Sequence, residues 1–207
     1  MSSLVAKILS VIFQPLLMPM IGTLVIFNLS YFEVAFLSQK AYWFILSSTL
    51  LFTFLLPISM IVVFKKFGII GNLSMDNKEE RRLPVLITGV LFAMNYYILK
   101  NLPLPNIYFS FLLASLVTLL FCLMVTYKWK ISMHMAGLGG LWGALLVISF
   151  FWQINLTSLL VIFILLSGAT GTARIVLNAH TPAQVYAGFF AGVLPQLLVA
   201  FGVFLSR

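Results

Sequence analysis

Residues 131–173 read ISMHMAGLGGLWGALLVISFFWQINLTSLLVIFILLSGATGTA, without one charged side chain. A single helix of that length would measure ~65 Å at ~1.5 Å per residue, about twice the ~30 Å hydrocarbon core of a bilayer. The run must therefore turn. Gln153, Asn155, Thr157 and Ser158 mark the place, predicting one spanning helix near 131–152 and another near 157–174. Beyond Arg174, the residues Pro182–Leu205 form one further apolar run. Three consecutive spans at this end of the chain put the protein in a membrane.

The composition agrees. Of 207 residues, 62% are hydrophobic and 8% charged, and the mean hydropathy is +1.14. A soluble domain carries roughly 25% charged residues. The net charge of +8 would suggest nucleic acid in a soluble protein. Here it points to lipid headgroups, phosphate ligands and membrane orientation, and no nucleic-acid partner is expected. The one cysteine, Cys122, lies inside an apolar run and reads as a small buried hydrophobe.

Working back toward the N-terminus, Ile107–Thr126 is another apolar run, closed by Lys128-Trp129-Lys130, an interfacial anchor pattern. Asn101-Leu102-Pro103-Leu104-Pro105-Asn106 is a turn, and Leu83–Leu99 before it is a short apolar run. Residues 65–84 form the longest polar segment, with three of the four acids (Asp76, Glu79, Glu80) and five cations. Its Asp76–Arg82 part has spacings suited to a helical turn. Ala41–Phe64 is a span interrupted by Pro57. Ile8–Phe32 is too long for a signal-peptide core and predicts a retained first span, kinked at Pro15 and Pro19. The expectation is an all-α, polytopic bundle of six or seven transmembrane helices forming one domain over 1–207. Gly139/Gly143, Gly188/Gly192 and Ala136/Gly140 have the spacing that lets helices approach closely in lipid, and predict tight packing of the last three spans.

Counting crossings places residues 65–84, 128–134 and 174–180 on one side of the membrane. The connections on the other side are short and nearly featureless. Lys65, Lys66, Lys128 and Lys130 read as cations flanking spans, and Trp129 and Trp152 as interfacial anchors. The remaining polar inventory of that side is Lys78, Arg81, Arg82, Ser132, His134, Arg174, His180 and Gln184. Polar groups retained in so apolar a chain are functional candidates. Arginine grips phosphate oxygens bidentately and lysine supplies a point charge. One histidine can attack phosphorus while the other protonates the leaving oxygen. Helix N-termini near 131 and 182 would add backbone donors.

These residues resemble a known family. Arg174-x5-His180-x3-Gln184, with Pro182 and Tyr186-Ala187-Gly188, is similar to the third motif of the type 2 phosphatidic acid phosphatase (PAP2) superfamily, Ser-Arg-x5-His-x3-Asp. Ile131-Ser132-Met133-His134 resembles the second motif, Pro-Ser-Gly-His, and Lys78–Pro84 loosely resembles the first, Lys-x6-Arg-Pro. The resemblance covers about 78–190. It implies a PAP2-like core and a metal-independent, cofactor-free lipid phosphate or diphosphate phosphatase. His180 would be the nucleophile, passing through a phosphohistidine, and His134 the general acid. Arg174, Lys78 and Arg81 or Arg82 would bind the phosphoryl oxygens, assisted by Ser132. The substrate would be a membrane lipid or prenyl phosphate, and the location a multi-pass position in a bacterial inner membrane.

The motifs also depart from the family pattern. Ala173 replaces serine, Ile131 and Met133 replace proline and glycine, and no arginine directly precedes Pro84. Gln184 occupies the aspartate position, and an amide orients an imidazole without supplying charge. A lipid-phosphate-binding protein with impaired catalysis is therefore a second reading. A magnesium-dependent prenyltransferase would need carboxylate pairs on the polar face, where only Asp76, Glu79 and Glu80 are present.

Overall fold

A computed structural model describes residues 1–29, 37–72, 75 and 77–205, the side chain of Lys78 excepted. Glu33 between the first two spans, the acid Asp76 and the Lys78 side chain thus lie outside the described residues. No strand occurs among them. Seven helices are long and apolar enough to cross a membrane: Ser3–Asn28, Gln39–Lys66, Glu79–Leu99, Asn106–Thr126, Met133–Trp152, Thr157–Val176 and Pro182–Leu205. They are called the first to seventh spans below. Large apolar side chains such as Val11, Leu165, Leu198 and Leu205 point outward, as lipid-facing residues should.

The first span is two helices rather than one kinked helix. Ser2 caps Ser3–Ile12, its Oγ accepting from the Val5 N–H. The chain leaves the helix at Phe13, makes a tight 3-10 turn at Pro15–Leu17 and resumes at Met18–Asn28. Pro15 lacks the N–H that would continue the ladder, while Pro19 fits the first turn of the second helix, where that donor is spare anyway. In the second span the helix widens into a π turn at Leu51–Leu55, directly before Pro57. A wider turn absorbs a proline that cannot serve the carbonyl four residues back. The third span is longer than its apolar run, because the helix already begins at Lys78.

The hairpin between the fifth and sixth spans turns where the polar residues predict. Gln153 takes a left-handed conformation (φ 54°), and Asn155 Oδ1 accepts from the Thr157 N–H at 3.1 Å. The tight small-residue packing belongs mainly to one pair, the fifth and seventh spans. A side chain at Gly139 would run into the Phe189 carbonyl, and one at Gly192 into the Ala136 carbonyl and the Gly140 nitrogen. Polar clips tie the other spans. The Tyr108 hydroxyl meets Thr23 at 3.2 Å and Thr49 at 3.5 Å, and Ser48 donates to Asn95 Oδ1 at 2.8 Å. These join the first four spans to one another.

A candidate phosphate site at one end of a cavity

The sixth span ends in a left-handed stop. Asn178 has φ 53°, its N–H bonds the Ile175 carbonyl at 2.9 Å, and the Ala179 N–H bonds the Arg174 carbonyl at 3.0 Å. This is a Schellman arrangement with asparagine in place of glycine. It turns the chain back over its last turn, so the His180 N–H also reaches the Arg174 carbonyl, at 3.3 Å. The five-residue gap between Arg174 and His180 is the length of that turn.

The seventh span then opens with a capping box. Gln184 N–H donates to Thr181 Oγ1 at 3.4 Å, and Thr181 N–H donates to Gln184 Oε1 at 3.1 Å. The same Gln184 oxygen accepts from His180 Nδ1 at 3.1 Å. The proton on His180 is thereby placed on Nδ1, and the Nε2 lone pair is left available. Gln184 is thus both a helix cap and an imidazole orienter. The closed cap also uses donors at a helix N-terminus that the sequence offered for phosphate.

His180, Arg174, Arg81 and His134 line the polar end of one cavity of about 340 Å³. Three connections distant in sequence meet there, as the crossing count requires. Arg81 is buried, and its Nε donates to the Met75 carbonyl at 2.7 Å, with Met75 itself in a left-handed conformation. His134 is held through Nε2, which donates to the Ser10 carbonyl at 3.0 Å. Arg174 Nη1 donates to Ser10 Oγ at 3.1 Å. Burial pushes the His180 imidazole down from its usual 6.5 to about 4. The charge of Arg81 adds to this, the Gln184 bond opposes it, and Arg174 and Lys130 contribute less. His180 is consequently a neutral base at ordinary pH.

Ser10 is the site residue that the motifs do not reveal. It comes from the first helix, outside the stretch with family resemblance, and a lone serine in an apolar helix carries no chemical signal. The break at Phe13 explains its use. It leaves the Ser10 carbonyl without the N–H of a continuing helix, so His134 can cap it. Lys130, read from the sequence as an interfacial anchor, is also close enough for its charge to act on His180.

Two expected phosphate ligands are placed elsewhere. Arg82 lies over the Tyr127 ring at 4.5 Å, with Nη2 at 3.5 Å from the Tyr127 carbonyl and 3.8 Å from Glu79 Oε1, and it does not line the cavity. Adjacent helix positions point about 100° apart, so Arg81 and Arg82 cannot both face one site. Ser132 occupies the N-cap position of the fifth span without a side-chain capping bond, beside the cavity rather than on its wall. Its N–H points to the Gln184 carbonyl at 3.4 Å, and its buried Oγ has no partner among the described residues. No group of three or more His, Cys, Asp and Glu suited to a metal occurs among the described residues. The charged groups on the cavity wall are cations.

Comparison with family models, with curated proteins and with solved structures finds no match to this chain.

Proposed function

We propose that this membrane protein is a lipid phosphate or diphosphate phosphatase that works through a phosphohistidine, in keeping with its PAP2-like motifs. The observation that carries the reading is the convergence of Arg81, Arg174, His134 and His180 at the polar end of one cavity, with His180 Nε2 left free by the Gln184 bond. Arg174 and Arg81 would hold the phosphoryl oxygens. His180 Nε2 would attack phosphorus as the bond to the alkyl oxygen breaks; His134, carrying a second proton on Nδ1 beside the bound phosphoryl anion while its Nε2–H stays on the Ser10 carbonyl, would give that Nδ1 proton to the leaving oxygen and become neutral. Neutral His134 would then take a proton from water as the water oxygen attacks phosphorus. The P–N bond breaks, and phosphate and His180 are regenerated. The proposed location is a bacterial inner membrane.

Phosphate release from a panel of lipid phosphates and diphosphates, in the presence of EDTA, tests the reading. Release that persists in EDTA and vanishes in His180→Ala supports it. A second reading, a lipid-phosphate binder with impaired turnover, rests on Gln184, which orients His180 without supplying the charge that would stabilise an imidazolium. Binding without release, together with turnover gained by Gln184→Asp, would select it.

A further inference from the structure

The cavity does not end at the phosphate site. Below the cations its wall includes Phe92, Phe111, Leu119 and Leu141, a lining suited to a hydrocarbon chain, and the polar side chains Thr88, Ser115, Thr118 and Gln196, of which the first two bond their own helix backbone. Gln196 is 3% exposed and Thr118 8% exposed, and neither Gln196 Nε2 nor Thr118 Oγ1 has a hydrogen-bond partner among the described residues. Their depths agree. Gly188 abuts Ser132 at the polar end, and Gln196 lies eight residues beyond it, ~12 Å at ~1.5 Å per residue. Thr118 lies eight residues before Thr126, at the same end of the fourth span, again ~12 Å.

Thr118, like Thr170 away from the cavity, departs from a common habit. Thr23, Thr53, Thr88, Ser110, Ser115, Thr126 and Ser167 all return their hydroxyl proton to the carbonyl four residues back. A helical threonine has that bond at hand. The Thr118 hydroxyl is instead left with its donor unused, on the wall of a cavity that also carries an unused amide donor. A plain hydrocarbon filling this space would leave both buried donors unsatisfied, which native interiors avoid. A carboxylate or second phosphate is disfavoured, because the cavity's cations, Arg81 and Arg174, sit at the other end.

Building on the proposed phosphate site, we infer that the cavity is a chain slot for a lipid phosphate whose chain carries an uncharged acceptor oxygen, a hydroxyl or carbonyl, held in mid-membrane by Gln196 and Thr118. At the ~1.2 Å per bond of an extended chain, that oxygen lies roughly ten bonds from the phosphorus.

The experiment is equilibrium binding to the purified protein in nanodiscs, with four probes of equal length. They are a plain alkyl phosphate, the same phosphate with a mid-chain hydroxyl, and the two corresponding phosphate-free alcohols; the hydroxyl is stepped over roughly carbons 8 to 12. The expected result is about a five- to tenfold preference for one hydroxylated position, the worth of a buried hydrogen bond. It should be lost in Gln196→Leu/Thr118→Val, with affinity for the plain chain kept or raised. Equal affinity for plain and hydroxylated chains in the wild-type protein overturns the inference, as does a preference that survives both substitutions. The wild-type comparison decides even where the double variant does not fold. The alcohol pair separates the two claims. If phosphate adds no affinity, the phosphate site fails while the oxygen preference is still read. If phosphate adds affinity but the hydroxyl does not, the oxygen site alone fails.

Discussion

His180 and Gln184 form the pair on which the proposed chemistry depends. With the imidazole held down to about 4, the folded protein takes up the His180 proton later than the unfolded chain does. The stability contributed by this neutral histidine is complete above pH 6.5 and is lost as pH falls toward 4. The acid limb of kcat/KM assigned to His180 is expected near pH 4 for the same reason. Gln184→Glu keeps the length of the side chain and its cap but adds a negative charge beside the ring. It should raise the His180 pKa, and a titration of labelled histidine by NMR, which needs no turnover, would show the shift. No upward movement would mean that the hydrogen bond to residue 184 does not exist. Ser10→Ala removes the hydroxyl that holds Arg174 and leaves the carbonyl that holds His134. KM for a lipid phosphate should rise by about three- to tenfold with kcat little changed, and Ser10→Thr should restore it. An equal loss in kcat would place Ser10 nearer the reacting atoms.

At the scale of elements, the contact between the fifth and seventh spans sets the width of the site. The Gln184 carbonyl reaches the Ser132 N–H only because Gly188 lets the helices touch just below. Gly192→Ala puts a methyl group against the Ala136 carbonyl and the Gly140 nitrogen, both backbone and unable to swing aside. The cost should be about 1–3 kcal/mol, measurable as a lowered unfolding midpoint in detergent or bicelles. Gly202→Ala, on the same helix, meets nothing within 4 Å and serves as the control. Unchanged stability in Gly192→Ala would show that the two helices do not pack at this distance. The break at Phe13–Leu17 has an equally specific consequence. It ends the first helix at the level of His134, where a straight helix would carry Ser10's carbonyl inside its own ladder.

For the whole molecule, the gathering of three connections at one end of the bundle gives a prediction about sidedness. Single cysteines at Phe67, Lys128 and Ala179 should react with an impermeant maleimide from one side of the membrane, and those at Lys40 and Asn101 from the other. Cys122 is buried and should contribute no background. Labelling of Phe67→Cys and Ala179→Cys from opposite faces would separate Arg81 from His180 and dissolve the site.

The amino-acid sequence alone is enough for the membrane class, the all-α fold, the position of nearly every span and the side on which the polar groups collect. These follow from hydropathy, helix rise and bilayer thickness, which are local or one-dimensional quantities. It also singled out Arg174, His180, His134 and Arg81, since a charged or titratable group in so apolar a chain is conspicuous. Only the tertiary structure chose between Arg81 and Arg82, because helix phase relative to a cavity is not written in a charge cluster. Only the tertiary structure brought in Ser10, 164 positions from Arg174 in sequence. It likewise drew Ser132 off the cavity wall and set Gln196 and Thr118 on it. A hydroxyl or an amide is common in helices, and it becomes a site only where packing denies it a partner and leaves space beside it.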